Sequence, residues 1–294
     1  MSMPMETIIN ASTDDEKILN EAGFYWREKN GVKIIVSQAL EEAGFVNGFS
    51  TRMGGVSPFP ANALNLGGFN HDARENIYEN RRRFLAALGV DHKLALAFQV
   101  HGNNVLRVNG EDEAIDSDEK ADAIMSNVRR VLAAVKTADC VPILMGDPMG
   151  GAFAAVHAGW RGTVRAIAST AVDEMHESYG SDPVNILATI GPAASCKMYE
   201  VGPEVIEQFT TSFPGSERYF TATSDGHATV DLHSANRDQL LAAGIPEKNI
   251  SIAPFCTMER IDLFFSYRIE KDTYGNGRML SVIGRGFPSP DGSR

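Results

Sequence analysis

Residues 151–175, GAFAAVHAGWRGTVRAIASTAVDEM, decide the fold because they join a buried strand directly to an amphipathic helix. Residues 151–157 form an apolar run of strand length that ends at His157. Apolar residues then recur at helical spacing, which predicts a helix over residues 164–175 with Thr163 as its N-cap. The stripe consists of Val164, Ile167, Ala168, Ala171, Val172 and Met175.

The rest of the chain shows the same mixture of strands and helices. Two further helices are predicted at residues 74–88, before Gly89, and at residues 232–243, before Gly244. Further strands are predicted at residues 32–36, 44–51, 94–100, 131–135, 142–145, 185–190 and 250–253. Because strands come in runs and do not strictly alternate with helices, the sequence predicts an α+β sandwich.

The chain is long enough, at 294 residues, for one large domain or two ordinary ones. No internal repeat, low-complexity block or Pro/Gly/Ser-rich linker divides it. We therefore expect a single catalytic domain over residues 25–285. A loosely ordered segment is expected at residues 1–24 and a flexible tail at residues 286–294.

Composition narrows the class of partner. The formal net charge is -11, from 38 acidic and 27 basic residues, which disfavours nucleic acid and favours a small-molecule substrate. The N-terminus lacks the pattern of a secretory signal, and no apolar run is long enough to cross a bilayer, so we expect a cytoplasmic protein without a membrane partner. Three widely spaced cysteines argue against a disulfide framework.

Three residues in similar local settings are candidate metal ligands: His101 in QVHGNN, Cys140 in KTADCVP and His157 in AAVHAGWRGT. Each lies at the end of a predicted strand or in the turn that follows it, so neighbouring strand ends can bring the three side chains together. One thiolate and two imidazoles suit zinc and leave a fourth coordination position open, which is typical of a catalytic site.

The same three residues also fit other chemistry. Cys140 could be a nucleophile with His157 or His101 as its base. Two histidines and one cysteine also occur in blue-copper sites, so copper is the alternative metal. A four-copper oxidase needs many more imidazoles, whereas this chain has seven histidines and no His-x-His pair. Taken singly, each residue is also typical of an ordinary buried cysteine or hydrogen-bonded histidine.

Arginines near these motifs are candidates for binding an anion. Arg161 lies in GWRGT at the predicted helix N-terminus, where free N–H groups favour negative charge. Arg52 precedes a Gly-Gly turn in FSTRMGGVS, and either arginine could hold a phosphate by paired hydrogen bonds. Arg268 follows an aromatic run that could stack a base or fill the core. Asp139, beside Cys140, either supports a ligand or belongs to a turn.

A series of motifs in residues 44–268 resembles the YfiH-like family, also called the laccase-domain or polyphenol oxidoreductase family. TADC and VHAGWRG are the specific parts of this pattern. In chain order the motifs are FSTRMGGVS, LNLG, ENRRRF, QVHGNNV, ADAIMSN, TADCVPIL, AAVHAGWRGT, IGPAASCKMYEVG, DLHSANRDQL and CTMERIDLFFSYR.

The resemblance implies a single domain with α/β/β/α layers and a catalytic zinc held by His101, Cys140 and His157. It implies a purine nucleoside enzyme that phosphorolyses adenosine, inosine, guanosine and methylthioadenosine and deaminates adenosine, with nucleoside and phosphate as its partners. His71, in FNHDARENI, matches an acidic-histidine stretch of relatives and is a candidate proton carrier outside the metal shell.

Other roles stay open beside the nucleoside enzyme. Some relatives are linked to peptidoglycan editing, in which an amidase removes a wrong amino acid from a muramic-acid precursor. The laccase label implies copper-dependent oxidation of phenols. A non-catalytic zinc protein would close the fourth coordination position with Cys256 or another histidine.

Overall fold

The apolar strands form two large sheets in the computed structural model, which describes residues 14–58, 60–69, 71–272 and 277–286. Within the larger sheet, β5 runs parallel to both of its neighbours and the other pairs are antiparallel. Its seven strands lie in the order β1 (Phe24–Lys29), β2 (Val32–Ser37), β3 (Phe45–Ser50), β17 (Met279–Arg285), β9 (Val131–Thr137), β5 (Lys93–Phe98) and β7 (Asp116–Lys120).

The second sheet has six strands and mixes parallel with antiparallel pairs. Its order is β16 (Ile250–Ile252), β12 (Leu187–Ile190), β10 (Val141–Gly146), β11 (Phe153–Ala158), β8 (Ala123–Ser126) and β6 (Val105–Val108). A small third sheet contains β13 (Glu200–Val201), β15 (Ala228–Val230) and β14 (Phe220–Ala222).

The seven-stranded sheet is apolar on both faces, because successive side chains of a strand point to opposite sides. In β9, Ala133 and Val135 belong to the core between the two large sheets. Leu132 and Ala134 instead pack in the core beneath helix α3 (Arg74–Leu88). One helix layer therefore covers the outer face of this sheet.

The six-stranded sheet repeats this arrangement in mirror order. In β11, Phe153 and Ala155 pack between the sheets, whereas Val156 packs with helices α5 (Ile167–Tyr179) and α7 (Leu232–Ala242). The layers are thus helix, sheet, sheet and helix. The predicted α+β sandwich and its α/β/β/α order are confirmed.

Most predicted elements are present. All eight predicted strands occur, with ends within two residues of the prediction, and α3 has the predicted bounds. The helix predicted at residues 232–243 is α7, which ends one residue earlier. Local periodicity was therefore a sufficient signal for these segments.

The helix predicted over residues 164–175 was wrong at its start. Ala166 has a left-handed φ of 59°, which separates the short helix α4 (Trp160–Val164) from α5. Thr163 lies inside α4, where its hydroxyl donates to the carbonyl of Gly159 at 3.1 Å, so it is not an N-cap. The apolar stripe of α5 is buried as predicted.

The remaining elements lie at the periphery: α1 (residues 14–21), α2 (Gln38–Glu42), β4 (Met53–Ser57), α6 (Pro203–Ser212) and α8 (Tyr267–Glu270). α1 belongs to the segment expected to be loosely ordered, but Leu19 is fully buried and Asp15 pairs with Arg260 at 2.8 Å. Residues 1–13 and 287–294, which make up most of the two expected flexible ends, lie outside the described residues. Among the described helices, none is long and apolar enough to cross a membrane.

Substitution of Phe153 tests the packing between the two large sheets. It is fully buried, so Phe153→Ala is expected to lower the free energy of unfolding by about 3–5 kcal/mol. Phe98, with 55% of its surface exposed, is the matched control, and Phe98→Ala should change stability by less than about 0.5 kcal/mol. Urea unfolding followed by circular dichroism measures both. Equal effects in the two variants would contradict the position of Phe153.

Candidate metal centre and cleft

The three candidate ligands meet at one end of the sandwich, where the chain passes between the large sheets. His101 follows β5 of the seven-stranded sheet, and Cys140 lies between β9 of that sheet and β10 of the other. His157 is in β11, opposite Pro142 of β10. One ligand atom from each of the three residues lies within 4.8 Å of the others. The structure therefore brings together the residues predicted to bind metal.

The three candidate ligands are close enough together to bind one ion, and the backbone at Gly159 packs tightly against two of them. The Sγ atom of Cys140 is 3.8 Å from Nε2 of His101, and the rings of His101 and His157 have centroids 4.8 Å apart. A Cβ atom at Gly159 would lie 2.8 Å from Cδ2 of His101 and 2.9 Å from Sγ of Cys140. Any side chain at Gly159 would thus displace two ligands. His157 is buried, Cys140 is half-buried and His101 is exposed.

A buried carboxylate, Asp122, organises two of the ligands. Its Oδ1 accepts hydrogen bonds from Nδ1 of His157 at 2.8 Å and from the N–H of His101 at 2.9 Å. Its Oδ2 accepts from the N–H groups of Gly102 at 2.6 Å and Val100 at 3.2 Å. These bonds hold His101 at a left-handed φ of 59° and leave Nε2 of His157 as the ring atom available to a metal.

Asp122 was not among the residues singled out from the sequence. The available signal was its place in ADAIMSN, one of the motifs that carry the family resemblance, directly before a short apolar run.

Asp139 both forms a turn and supports the site. Its φ is 82°, and its carboxylate accepts from the hydroxyls of Thr257 at 2.7 Å and Ser266 at 3.0 Å and from the N–H of Arg268 at 2.7 Å. Burial raises the pKa of Asp139. These hydrogen bonds hold Asp139, the residue before Cys140, against the segment that contains Arg268.

In the metal-free protein, Cys140 and His157 form a charge pair. Burial would raise the pKa of Cys140, but the positive charge of His157 and hydrogen bonds from both histidines lower it to about 6. Burial would lower the pKa of His157, but the Cys140 thiolate and Asp122 raise it to about 9. A thiolate is the form that binds a metal, and the metal displaces the proton of the imidazolium.

A cleft of about 170 Å³ borders the cluster at His101 and Cys140. Its walls carry three aromatic rings and two arginines. The guanidinium carbon of Arg161 lies 4.2 Å from the centroid of the Trp160 ring, and that of Arg268 lies 4.9 Å from the Tyr199 ring. Aromatic faces beside cations suit a ligand with a flat ring and an anionic group. The other wall residues are Ala138, Asp139, Leu232 and Tyr267.

The sequence suggested Arg52, Arg161 and His71 as residues that act on the substrates. Of these, Arg161 lines this cleft. Arg52 is 7% exposed, forms an ion pair with Glu270 at 2.9 Å and packs with its guanidinium carbon 4.6 Å from the Phe265 ring. Neither Arg52 nor the exposed His71 is among the described residues that line the cleft. The helix that contains Arg161 has only five residues, so the predicted long helix does not begin there.

The fold is a two-sheet α/β/β/α sandwich, and the His–Cys–His cluster lies where the chain crosses between the sheets. These two features define a class of single-domain proteins with a candidate metal centre. A family model described as "Multi-copper polyphenol oxidoreductase laccase" matches residues 46–286. The chain therefore belongs to this family of laccase-like polyphenol oxidoreductases, as its motifs predicted.

Two relatives are named purine nucleoside phosphorylases, which supports an enzyme. The chain is 37% identical over 251 residues to "Purine nucleoside phosphorylase YfiH" of Escherichia coli (strain K12), a match that covers 85% of this chain and 98% of that protein. It is 36% identical over 251 residues to "Purine nucleoside phosphorylase YlmD" of Geobacillus stearothermophilus, with 83% of this chain and 91% of that protein covered.

Solved structures show the same fold. The crystal structure of YlmD from Geobacillus stearothermophilus matches with a TM-score of 0.80 at 34% identity, covering 88% of this chain and 98% of that chain. The crystal structure of the Bacillus licheniformis hypothetical protein YfiH matches with a TM-score of 0.80 at 31% identity and the same coverage.

Asp122→Asn tests the role of the buried carboxylate. Loss of the charge behind His157 is expected to weaken metal binding by about 10- to 100-fold, because the carboxylate orients the ring and raises its basicity. Competition between the protein and a chelator for Zn²⁺ measures the affinity. Asp91→Asn, which removes an exposed carboxylate, is the control. Unchanged affinity in a folded Asp122→Asn protein would contradict the assignment.

The charge pair predicts the pH dependence of alkylation in the metal-free protein. Because the pKa of Cys140 is lowered to about 6, its thiolate is present above that pH, and iodoacetamide labelling should rise with a midpoint near pH 6. Cys196 is exposed and its pKa is raised, mainly by desolvation, so its labelling should need a more alkaline pH. Peptide mass spectrometry separates the two sites, and a shared midpoint would argue against the pair.

Proposed function

We propose that this protein is a zinc-dependent purine nucleoside phosphorylase, which acts on adenosine, inosine, guanosine and methylthioadenosine and also deaminates adenosine. The observation that carries the proposal is a His–Cys–His cluster at the border of a cleft with aromatic and cationic walls. The names of the relatives from Escherichia coli and Geobacillus stearothermophilus support the same activity.

His101, Cys140 and His157 would hold the metal. One thiolate and two imidazoles in mutual reach suit zinc, and the small space that Gly159 leaves beside two of them supports a bound ion. When bound, zinc supplies Lewis-acid chemistry, since it polarises a substrate oxygen or lowers the pKa of a water molecule.

The residues of the cleft supply binding and orientation. The rings of Trp160, Tyr199 and Tyr267 offer faces on which a purine can stack. Arg161 and Arg268 make these walls positive, which draws phosphate toward the cluster and favours the anionic groups of the reaction. Binding of both substrates beside the metal-ligand cluster would replace a bimolecular encounter by an oriented one.

Copper-dependent phenol oxidation is the second candidate, because the family description names it. A multi-copper oxidase needs several ligand groups. Among the described residues, one group of three or more potential ligands is found, and the chain has only seven histidines. The small number of potential copper ligands therefore favours the phosphorylase.

The position of Cys256 bears on the non-catalytic alternative. Cys256 is 6% exposed, and its Sγ accepts the N–H of Ser195 at 3.3 Å. It is not a member of the described ligand group, so it does not close the fourth coordination position. Among the described residues, no fourth His, Cys, Asp or Glu joins His101, Cys140 and His157, which favours catalysis over a purely structural zinc.

Turnover of inosine and adenosine tests the proposal. Zinc-loaded protein should release hypoxanthine from inosine only when phosphate is present, and should also convert adenosine to inosine, as followed by chromatography. Cys140→Ala is expected to lose zinc and to lower kcat/KM by about 100-fold or more, because it removes a ligand of the Lewis acid. Cys196 is an exposed cysteine outside the cluster, so Cys196→Ala should keep both the zinc and the activity.

Other results would assign other chemistry. If Cys140→Ala kept its zinc but lost turnover, Cys140 would be a nucleophile. If zinc-loaded protein released no base with or without phosphate, the proposal would fail, and muramyl precursors would be the next substrates to assay.

A further inference from the structure

A second group of charged side chains lies near the metal-ligand cluster. Lys136 is in β9, four residues before Cys140, and Arg278 directly precedes β17. Arg81 lies on α3, which covers the same face of the sheet. A Cβ atom at Gly67 would lie 2.9 Å from Cδ of Lys136 and 3.4 Å from Cβ of Arg278. The aliphatic parts of the Lys136 and Arg278 side chains therefore both lie next to Gly67.

Arg81 has a donor that nothing satisfies among the described residues. The side chain is 8% exposed; its Nη1 pairs with Asp116 at 2.6 Å and its Nε donates to the carbonyl of Leu66 at 3.0 Å. Its Nη2 is buried without a hydrogen-bond partner in the described part of the chain. A buried donor without an acceptor is costly, so this atom is available to an acceptor that the described residues do not supply.

In the described part of the chain, the hydrogen bonds donated by the other two cations go to backbone carbonyls. Lys136 Nζ donates to the carbonyl of Ala97 at 3.3 Å, and Arg278 Nη1 donates to the carbonyl of Gly277 at 3.0 Å. Within residues 14–58, 60–69, 71–272 and 277–286, neither side chain pairs with a carboxylate.

The ion pairs of the described residues thus give this group three cations and one carboxylate, Asp116. Asp116 also acts on Lys136, and Asp139 acts on Arg278, but neither forms an ion pair with these two cations. Cations thus outnumber paired carboxylates in a partly buried place, which favours a bound anion.

Electrostatic interactions connect this group to the cleft. Burial lowers the pKa of Lys136; the negative charge of Asp116 opposes this change, and the positive charges of Arg81 and Arg278 add to it. Burial also lowers the pKa of Arg278, while the charges of Cys140, Tyr267 and Asp139 oppose the change. The ring of Tyr267, a wall of the cleft, has its centroid 5.7 Å from the guanidinium carbon of Arg278. Arg278, a member of the basic group, thus contacts a wall residue of the cleft that borders the candidate metal centre.

We propose that Arg81, Lys136 and Arg278 form a binding site for a phosphate group beside the metal-ligand cluster. A phosphate dianion would complement the excess of cations and offers acceptors to Arg81 Nη2, Lys136 Nζ and the Arg278 guanidinium. The inference rests on the proposed function for its role, since the phosphate would be the second substrate of phosphorolysis. Arg161 and Arg268 are then left to attract and surround the nucleoside.

Binding of phosphate alone tests the site. Isothermal titration of zinc-loaded protein with inorganic phosphate, and separately with a nucleoside monophosphate, needs no turnover. Lys136→Met and Arg278→Met keep apolar stems but remove the charges, and each is expected to raise the Kd of phosphate about tenfold or more. Arg82→Gln removes an exposed charge from the same helix as Arg81 and should leave the Kd unchanged.

The two anions separate the sources of the phosphate group. Weaker binding of inorganic phosphate in both variants supports the site as that of the second substrate. If only the nucleoside monophosphate binds, and both variants weaken it, the site stands with a nucleotide as its source. If the Kd of both anions is unchanged in Lys136→Met and Arg278→Met, or if Arg161→Met alone abolishes binding, the inference is overturned.

Kinetics distinguishes this inference from the proposed function. Phosphate-dependent base release with an unchanged KM for phosphate in Lys136→Met would keep the function and overturn the site. Phosphate binding that depends on Lys136, without any base release, would keep the site and contradict the function. A merely structural role of Lys136 would lower Tm and alter the KM of nucleoside and phosphate alike, which would also overturn the site.

Discussion

The buried charge of Asp122 is the interaction on which the candidate site depends. It lies where the chain passes from β7 of one sheet to β8 of the other and collects four hydrogen bonds, from the His157 ring and from the N–H groups of residues 100–102. Burial would raise its pKa, but the bonds from His157 and Gly102 hold that pKa below its ordinary value. One carboxylate thus fixes two ligands that belong to different sheets.

Contacts between the sheets also build the rest of the cleft. Cys140 lies in a second crossing, from β9 to β10, and the residue before it, Asp139, anchors the segment with Arg268 and Tyr267. The candidate metal centre and the aromatic and cationic walls are therefore products of the same docked layers. The ligands come from a strand and from tight crossings next to the packed core, which holds them in place.

Much of the fold and the ligand set could be predicted from the sequence because both have local signals, namely apolar periodicity and short motifs. What depends on distant contacts could not. β7 reads DSDEK, a polar stretch that becomes a strand only by pairing with β5. Ala166 favours a helix by propensity, yet it breaks one. Arg52 was predicted to bind phosphate, but Glu270, far along the chain, pairs with its guanidinium.

A metal held by these ligands, which come from both sheets, would tie folding to the supply of that metal. An unfolded chain holds residues 101, 140 and 157 apart, so a tight site exists only in the folded protein. By mass action, an ion that binds the folded state alone raises the folded fraction as its free concentration rises. Metal starvation would then shorten the lifetime of the polypeptide as well as silence its chemistry, because a larger unfolded fraction is open to proteases.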